Sequence, residues 1–589
     1  MKYALMSLAN KIRSEEIANL LWSKGYVILS TGGTYEYLLG HARIPALLAR
    51  ISDFTNAEEL LNGRVKTLHP KIYAGILANR CPEEAIMELI DVIVVNLYPF
   101  KETVSREGHT EHEAVENIDI GGVSLLRAGA KNYKHVLTIV DPNDYFIIKR
   151  NWDTIDSSVR RYYAGKAFEY VTKYDMGISE YYNKDLVYRS YEKVDDLKYG
   201  CNPHQIGAVF KQKEGGPFPF KVLNGNMGYI NYLDAILSWQ LVNELSDALG
   251  AVCCASFKHN APAGVGTGRP IPKALRKAYM VDNGQALSAE ACAFIRARQA
   301  DPMSSFGDFI AMSTIVGVDV AKLIKREVSD GIVAPGYTDE ALKILMTKKH
   351  GQYIIVATAG IDASDNLVPS LLMEYRESYN LVLAQTRNMG DCSQLCREQI
   401  VTQNKNIAPR NIDDLIIASI AAKYTPSNSV VFAYDGQVIG VGSGQQNRVD
   451  CVRLAASKAE TWFLRQHPAC TALVLKPELK RQSKVNAIMA YIRTQRFAEY
   501  ELTHWTSNFI EPPILLTFAM KNEFMDNVRG VAVSSDGFFP FRDSIDECSK
   551  YGVSFIVQPG GSVSDADVTH ACDQYGIVMF CSGLRLFSH

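Results

Sequence analysis

Short apolar runs alternate with amphipathic stretches along roughly the first 190 residues, which is the pattern of strands and helices in a doubly wound sheet. Residues 2–8 are strand-like, and the apolar run after Lys2 is read as a strand rather than a leader. Ser14 then reads as an N-cap, with Glu15 and Glu16 in the first turn, Ile17, Leu20 and Leu21 on one face, and Gly25 as the stop. Residues 26–30 form the next strand and run into Thr31-Gly32-Gly33-Thr34 ahead of another helix. Residues 91–96 are continuously apolar, as in a parallel strand covered on both faces, and residues 135–140 repeat the signal. Residues 157–183 turn helical and aromatic-rich, whereas 188–197 are charged without a clear period. The domain boundary is placed there, giving domains 1–190 and 191–589.

The second domain again mixes both element types. Helices are expected over 233–249 and 413–424, and a hairpin over 430–441 turning at Asp435-Gly436. The C-terminal stretch alternates strand (531–534), helix (542–551), strand (553–557), helix (565–575) and strand (577–581). No internal repeat stands out, although two α/β lobes fit the length. Residues 251–255 read as a buried strand ending in Ser256-Phe257-Lys258-His259, with Pro262, Gly264, Gly266 and Gly268 marking a loop behind it. An ammonium beside an imidazole disfavours imidazolium, so Lys258 favours a neutral, proton-accepting His259. Taken alone, the pair also fits an exposed basic turn.

Length then constrains the picture: 589 residues exceed what one core supports. Lys and Arg number 62 against 64 Asp and Glu, so bulk charge draws the chain to neither nucleic acid nor an anionic membrane, and any anionic substrate needs local basic clusters. No stretch approaches the roughly 20 apolar residues that span a bilayer. The 12 cysteines contain no Cys-x-x-Cys pair, Cys392 and Cys396 being separated by three residues. Cys253, Cys254, Cys292, Cys572 and Cys581 lie in mostly apolar contexts and read as buried, reduced thiols of a cytosolic protein.

Candidate chemistry in the first domain gathers at loop positions. Thr31-Gly32-Gly33-Thr34 joins a strand to a helix, so amides, hydroxyls and a helix N-terminus can hold a phosphate. Gly63-Arg64-Val65-Lys66-Thr67-Leu68-His69-Pro70 puts two cations and a hydroxyl within four residues, a pattern shared with solvated basic turns. Tyr98 closes a strand at its carboxyl end, where ligands gather in such sheets, or it simply packs there. Asp119, before Gly121-Gly122, also fits an N-cap or turn former, and Lys131 a surface lysine at a helix end. Together they suit a phosphorylated small molecule undergoing proton-transfer or condensation chemistry.

GRVKTLHP (63–70), NLYPF (96–100), IDIGG (118–122) and RAGAKN (127–132), in this order, closely resemble the inosine-monophosphate (IMP) cyclohydrolase half of the bifunctional purine-biosynthesis enzyme family. That resemblance implies a methylglyoxal-synthase-like fold, nucleotide binding by Ser7, Lys11, Thr31, Gly32, Gly33, Thr34, Arg64 and Thr67, and catalysis by Lys66, Tyr98, Asp119 and Lys131. Where the family often reads Ser-Val-Ser-Asp-Lys, this chain reads Ser7-Leu8-Ala9-Asn10-Lys11, keeping the outer two residues and leaving backbone amides to serve between them.

The second domain resembles the family's other half, aminoimidazolecarboxamide-ribotide (AICAR) transformylase. Residues 199–205, 256–264, 303–309, 327–337, 423–430, 442–448, 534–543 and 584–587 carry the resemblance, which runs from Tyr3 to His589. It implies an α/β region of two cytidine-deaminase-like lobes, without those enzymes' His-x-Glu and Pro-Cys-x-x-Cys zinc ligands, so no zinc is expected. It implies formyl transfer from 10-formyltetrahydrofolate to AICAR, then cyclodehydration of the product, FAICAR, to IMP.

An aromatic amine conjugated to a carboxamide is a poor nucleophile, so formyl transfer calls for a base and a stabilised oxyanion. His259 takes the first role, directly or through the substrate's carboxamide. Lys258 stabilises the oxyanion or protonates the departing folate nitrogen, and Asn428 orients the formyl oxygen or the carboxamide. By family position Lys198, Tyr199 and Arg585 face the phosphate, and Gly307, Asp330, Arg448 and Phe538 surround base and ribose; Asp543 joins the substrate-binding set. Lys198 stands where the family usually has arginine, keeping the charge and losing the bidentate fork. Phe538, Phe539 and Phe541 singly read as core, and His204 as a satisfied structural histidine. The resemblance further implies a cytosolic homodimer with transformylase sites at the subunit interface, and neither nucleic acid nor membrane as partner. Two other readings stay open: a transformylase whose first domain binds nucleotide without catalysis, and a regulatory binding module.

Overall fold

The computed structural model describes residues 1–42, 47–61, 64–81, 84, 88–213, 216, 218–282, 284, 286–358, 373–494 and 496–589. Gly63, which opens the basic motif, lies outside them. The chain forms two compact units, Met1–Arg189 and Ser190–His589.

In the first unit β1 (Lys2–Leu8), β2 (Tyr26–Ser30), β3 (Leu48–Arg50), β4 (Ile90–Asn96) and β5 (Leu137–Ile139) make one all-parallel sheet ordered β3-β2-β1-β4-β5. Burial explains the apolar runs. Ala4, Leu5, Met6, Ile28, Ile93 and Val94 are each at most 1% exposed, because helices cover both faces. The chain reverses its winding between β1 and β4, where Leu8 pairs with Asn96, and the carboxyl ends there open the crevice in which such sheets hold ligands. One cap differs from expectation. The helix Ser14–Ser23 is preceded by Arg13 in a left-handed conformation (φ 57°), so Ser14 lies inside the helix with its hydroxyl buried and unpartnered.

The second unit is built on an eleven-stranded sheet. The strands are β8 (Phe220–Asn224), β9 (Cys253–Lys258), β10 (Ala261–Thr267), β11 (Asp308–Met312), β12 (Ser329–Ala334), β13 (Ile354–Thr358), β16 (Ser429–Tyr434), β17 (Gln437–Ser443), β18 (Val531–Ser535), β19 (Val553–Gln558) and β20 (Val578–Cys581). Their order is β20-β19-β18-β16-β17-β10-β9-β11-β12-β13-β8. Two hairpins stand apart from it, β6 (Tyr191–Leu197) with β7 (Gly207–Gln212), and β14 (Met373–Ser378) with β15 (Leu381–Thr386).

An internal repeat, missed in the sequence, organises the large sheet. Each lobe has a helix (Tyr229–Leu249 or Pro409–Lys423), a hairpin (β9–β10 or β16–β17), a second helix (Ala289–Ala300 or Arg448–Leu464) and three mutually parallel strands (β11–β12–β13 or β18–β19–β20). The second hairpin strands carry Gly264-Val265-Gly266 and Gly440-Val441-Gly442. A Cβ at Gly264 would overlap the Ala297 carbonyl, and one at Gly440 the Ala455 carbonyl, each on the helix that follows. The glycines therefore permit helix-on-strand contact rather than a loop. This corrects the reading of 262–268: it is mostly strand β10, and only His259 and Asn260 make the turn, both left-handed (φ 54° and 60°). In the second lobe the turn is Asp435-Gly436, also left-handed at both positions (φ 47° and 80°).

None of the 12 cysteines forms a disulfide; Cys253, Cys254, Cys292 and Cys572 are buried, and Cys581 half-buried. Among the described residues no helix is long and apolar enough to cross a membrane.

Candidate functional site

In the first unit the crevice is tied together by side chains on three strand ends. Asn96, at the end of β4, accepts the N–H groups of Ala9 (2.7 Å) and Asn10 (2.9 Å) on Oδ1 and donates Nδ2 to the Asn10 carbonyl (2.6 Å). Two amides expected to be open for a ligand are thus already bonded. Lys11 turns its ammonium back on the Leu8 and Ala9 carbonyls (3.4 and 3.3 Å), and Ser7 lies half-buried near the end of β1, beside Val95. Thr34 is buried; its hydroxyl accepts the Leu8 N–H (3.0 Å) and so pins the helix Gly32–His41 to β1. Thr31 caps that helix without a side-chain bond, which leaves the first-turn amides at Gly32 and Gly33 without intrahelical partners.

Facing them, Lys66 pairs with Glu59 (3.8 Å), and Glu59 Oε1 lies 3.5 Å from where a Cβ on Gly32 would stand. Arg64 pairs with Glu116 instead. Thr67 is buried against Gly121, whose Cβ would meet the Thr67 hydroxyl at 2.6 Å. Asp119 accepts the Gly122 N–H (2.6 Å) and the Tyr98 N–H, so carboxylate and phenol-bearing residue are held together. Burial pushes its carboxyl above the ordinary range, while those two N–H groups pull it back. Tyr98 turns a 41% exposed side chain outward.

Two residues of the long helix Ser157–Tyr182 complete the frame. The Tyr174 hydroxyl accepts the Asp119 N–H (2.8 Å) and donates to the Asn117 carbonyl (2.5 Å), and the Tyr170 hydroxyl accepts the Leu97 N–H (3.1 Å). Lys131 does not join them. It ends the helix Gly121–Lys131, and ten residues at 1.5 Å each put it about 15 Å along the axis from Gly121. Its neighbour Asn132 bonds the carbonyls of Ile76 and Ala78, at the far end of the helix Pro70–Leu77.

In the second unit one cluster forms around the β9–β10 turn. Lys258 donates to the Phe306 carbonyl (2.5 Å), and its ammonium lies 3.8 Å from the Cβ position of Gly307, an ordinary contact beside a left-handed glycine (φ 78°). His259 is exposed, and the buried Asp234 accepts the N–H of Asn260 (2.8 Å). Beneath the turn, Ser256 donates to Asp308 Oδ2 (2.6 Å), and Asp308 pairs with Arg298, which also reaches Glu327 (3.3 Å). Burial pushes the Asp308 carboxyl up and Arg298 draws it down. Asp330 is half-exposed and paired with Lys349 (2.6 Å). The neighbouring Lys348 is buried, bonded to Ser329 Oγ (2.9 Å), and burial pushes its ammonium down to about 8.

A second cluster sits where β16 starts and β18 ends. Arg448 pairs with the buried Asp536 and donates to Ser535 Oγ (2.8 Å) and Asn428 Oδ1 (2.8 Å), while Asn428 Nδ2 donates to the Gln445 carbonyl (2.9 Å). The centre of the Phe587 ring lies 4.7 Å from the guanidinium carbon of Arg585 and 6.0 Å from that of Arg448. The three phenylalanines read as core divide: Phe539 is fully buried, whereas Phe538 and Phe541 are 42% and 63% exposed. Asp543 is exposed at the start of the helix Asp543–Ser549. Lys198 and Tyr199 lie exposed after β6, and His204 is exposed as well.

The two clusters share one edge of the sheet without meeting. β10 and β17 run antiparallel, with Gly266 opposite Gln437, so Ser443 returns toward the edge that carries His259. Lys258 on β9 and Asn428 before β16 are then three strand spacings apart, about 14 Å. Asp234, Asn96, Tyr170 and Tyr174 went unnoticed in the sequence, where no local pattern marks them.

A family model described as AICARFT/IMPCHase bienzyme matches residues 129–458, more than half of the chain. A second, described as MGS-like domain, matches residues 13–124. A solved structure described as "Crystal structure of ForH" is similar at 28% identity, covering 31% of this chain and 97% of that chain, with a TM-score of 0.28.

Proposed function

This chain belongs to the AICARFT/IMPCHase bienzyme family and carries out the last two steps of IMP synthesis, formylation of AICAR and ring closure of FAICAR; from that premise we propose where and how each step is done. Ring closure belongs to residues 1–190 and formyl transfer to residues 191–589, with 10-formyltetrahydrofolate as formyl donor. The observation that carries the second assignment is the exposed His259 presented beside the Lys258 ammonium on a two-residue turn.

In formyl transfer the AICAR amine attacks the formyl carbon and passes its proton to His259. Lys258 stabilises the tetrahedral oxyanion, then the carbon–nitrogen bond to folate breaks and the folate nitrogen takes a proton. Asn428, oriented by Arg448, holds the carboxamide. Lys198, Tyr199, Gly307, Asp330, Phe538, Asp543 and Arg585 bind the nucleotide or folate around this centre.

In ring closure the carboxamide nitrogen attacks the new formyl group and water leaves. Lys66 stabilises the oxyanion, Asp119 and Tyr98 move the protons, and Ser7, Lys11, Thr31–Thr34, Arg64 and Thr67 hold the nucleotide. Lys131 stands at the other end of the helix Gly121–Lys131, and its share in the proton transfers is tested by Lys131→Ala, which closes the ring at the wild-type rate if Lys131 takes no part.

The enzyme works as a cytosolic homodimer. Separation of the two transformylase clusters supports a site completed by a second copy. So does the β6–β7 hairpin, where Tyr191, Val194, Ile206 and Phe210 are all exposed.

The test supplies the full chain with AICAR and 10-formyltetrahydrofolate, following tetrahydrofolate by absorbance and IMP by chromatography. Matched products, with folate release lost in His259→Ala, are expected. Folate release without IMP would show a first unit that binds without closing the ring, and no folate release would overturn the transformylase assignment.

A further inference from the structure

The repeat supplies an internal comparison for the His259 turn. In both lobes a buried aspartate on the helix before the hairpin accepts backbone N–H groups of the turn. Asp414, on the helix Pro409–Lys423, takes Gly436 N–H on Oδ1 (2.7 Å) and Asp435 N–H on Oδ2 (3.0 Å). Asp234, on the helix Tyr229–Leu249, takes Asn260 N–H on Oδ1 (2.8 Å). Both are almost fully buried, at 2% and 5% exposure. The same device thus fixes two left-handed turns, and only the first turn carries an imidazole.

The two aspartates differ in what lies around them. Asp414 faces Arg269 and Asp435. Asp234 faces His259, with the carboxylates of Asp308 and Asp330 beyond, and the Lys258 ammonium is next to His259 in the chain. Burial pushes the Asp234 carboxyl up, while the Asn260 N–H and then the His259 charge draw it back, so aspartate and imidazole interact. The Asn260 side-chain oxygen is buried without a partner, and the turn is held by the Asp234 bond at Asn260 N–H and by the pairing of Lys258 with Ala261 across it.

We propose that Asp234 is a positioning residue for formyl transfer: it clamps the turn that presents His259 and supplies the negative charge against which the imidazole takes the substrate's proton. The inference rests on His259 being the base. During the step the AICAR amine proton moves to the imidazole ring, and the Asp234 carboxylate keeps its charge throughout, stabilising the imidazolium.

The experiment compares full-length wild type, Asp234→Asn, Asp234→Glu, Asp414→Asn and His259→Ala by formyl-transfer rate against pH and by thermal melting. Asparagine keeps an oxygen for the Asn260 N–H and removes the charge. Asp234→Asn is expected to lower kcat about tenfold or more and to move the acidic limb of the profile to lower pH, because imidazolium loses its stabilising neighbour. Asp234→Glu restores part of the rate, and Asp414→Asn changes melting while leaving the profile in place. An acidic limb unmoved in Asp234→Asn, with His259→Ala inactive, would overturn the inference and leave the base assignment standing. A fully active His259→Ala would instead overturn the base assignment beneath it.

Discussion

Asp414 links the second unit's stability to pH through one buried group. Its carboxyl is pushed from the ordinary 3.8 up to about 6, first by burial, against the pull of the Gly436 N–H and of Arg269. Because the folded state holds this proton more tightly, the folded form binds more protons than the unfolded one between those two values. Stability therefore rises as pH falls through about 6 and is lost again as pH rises. At 1.36 kcal/mol per unit the full shift is worth about 3 kcal/mol, of which about 2.4 kcal/mol appears between pH 7.5 and pH 4, where the unfolded carboxyl is still partly ionised. The unit spans 400 residues, Ser190–His589. At about 2.1 cal/mol/K per residue its unfolding entropy is near 0.8 kcal/mol/K, so the effect is worth about 3 °C in Tm. Other carboxyls titrate in the same range, so the assay is a difference: calorimetric Tm of wild type minus Asp414→Asn, at steps from pH 7.5 down to 4. Asparagine lacks the titration but still offers one acceptor to the turn, so its cost is constant with pH. The difference should move in favour of wild type by about 3 °C on acidification, most of it below pH 6.5. A difference that stays flat across this range would refute the reasoning.

Three further outcomes follow from packing and bonding. Tyr174→Phe removes the bonds to the Asn117 carbonyl and the Asp119 N–H; at about 1 kcal/mol each it should slow IMP formation from FAICAR roughly tenfold to thirtyfold and leave folate release unchanged. Gly264→Ala forces a methyl onto the Ala297 carbonyl and should lower the stability of the second unit by about 1–3 kcal/mol in denaturant unfolding, whereas the same change at the open Gly216 or Gly444 strains only the local turn. Asp308→Asn leaves the buried Arg298 with only Glu327 for charge and should cost about 3–5 kcal/mol in denaturant unfolding; replacing Arg298 and Asp308 together by Met and Leu should recover much of it.

What reads directly from sequence is what depends on near neighbours. The apolar runs at 2–8, 26–30 and 91–96 match β1, β2 and β4 closely, because a strand covered on both faces needs apolar residues at every position. The Asp435-Gly436 turn was equally legible, its left-handed positions calling for such residues. The same local logic failed at 262–268. Glycine there answers the close approach of a helix beginning more than twenty residues later, and composition alone makes it look like a loop. It failed again at Ser14, where Arg13 takes the cap position, and at Phe538, Phe539 and Phe541, only the middle ring pointing inward.

The chemistry divides in the same way. Lys66, Thr67, Tyr98, Asp119, Lys258 and His259 stand out in sequence because reactive side chains cluster in short motifs at strand ends and turns. Their supports do not. Asn96 reaches back 87 residues to Ala9, Tyr174 reaches 55 to Asp119, and Asp234 reaches 26 to Asn260. Lys131 shows the reverse, close in sequence to Asp119 and carried away by the rise of one helix. The sequence by itself determined most of the elements, the family and the candidate reacting groups, since period, turn chemistry and motif are short-range properties of the chain. The tertiary structure alone decided which of those groups meet, since a contact between distant segments depends on how whole elements pack, and no local pattern encodes that.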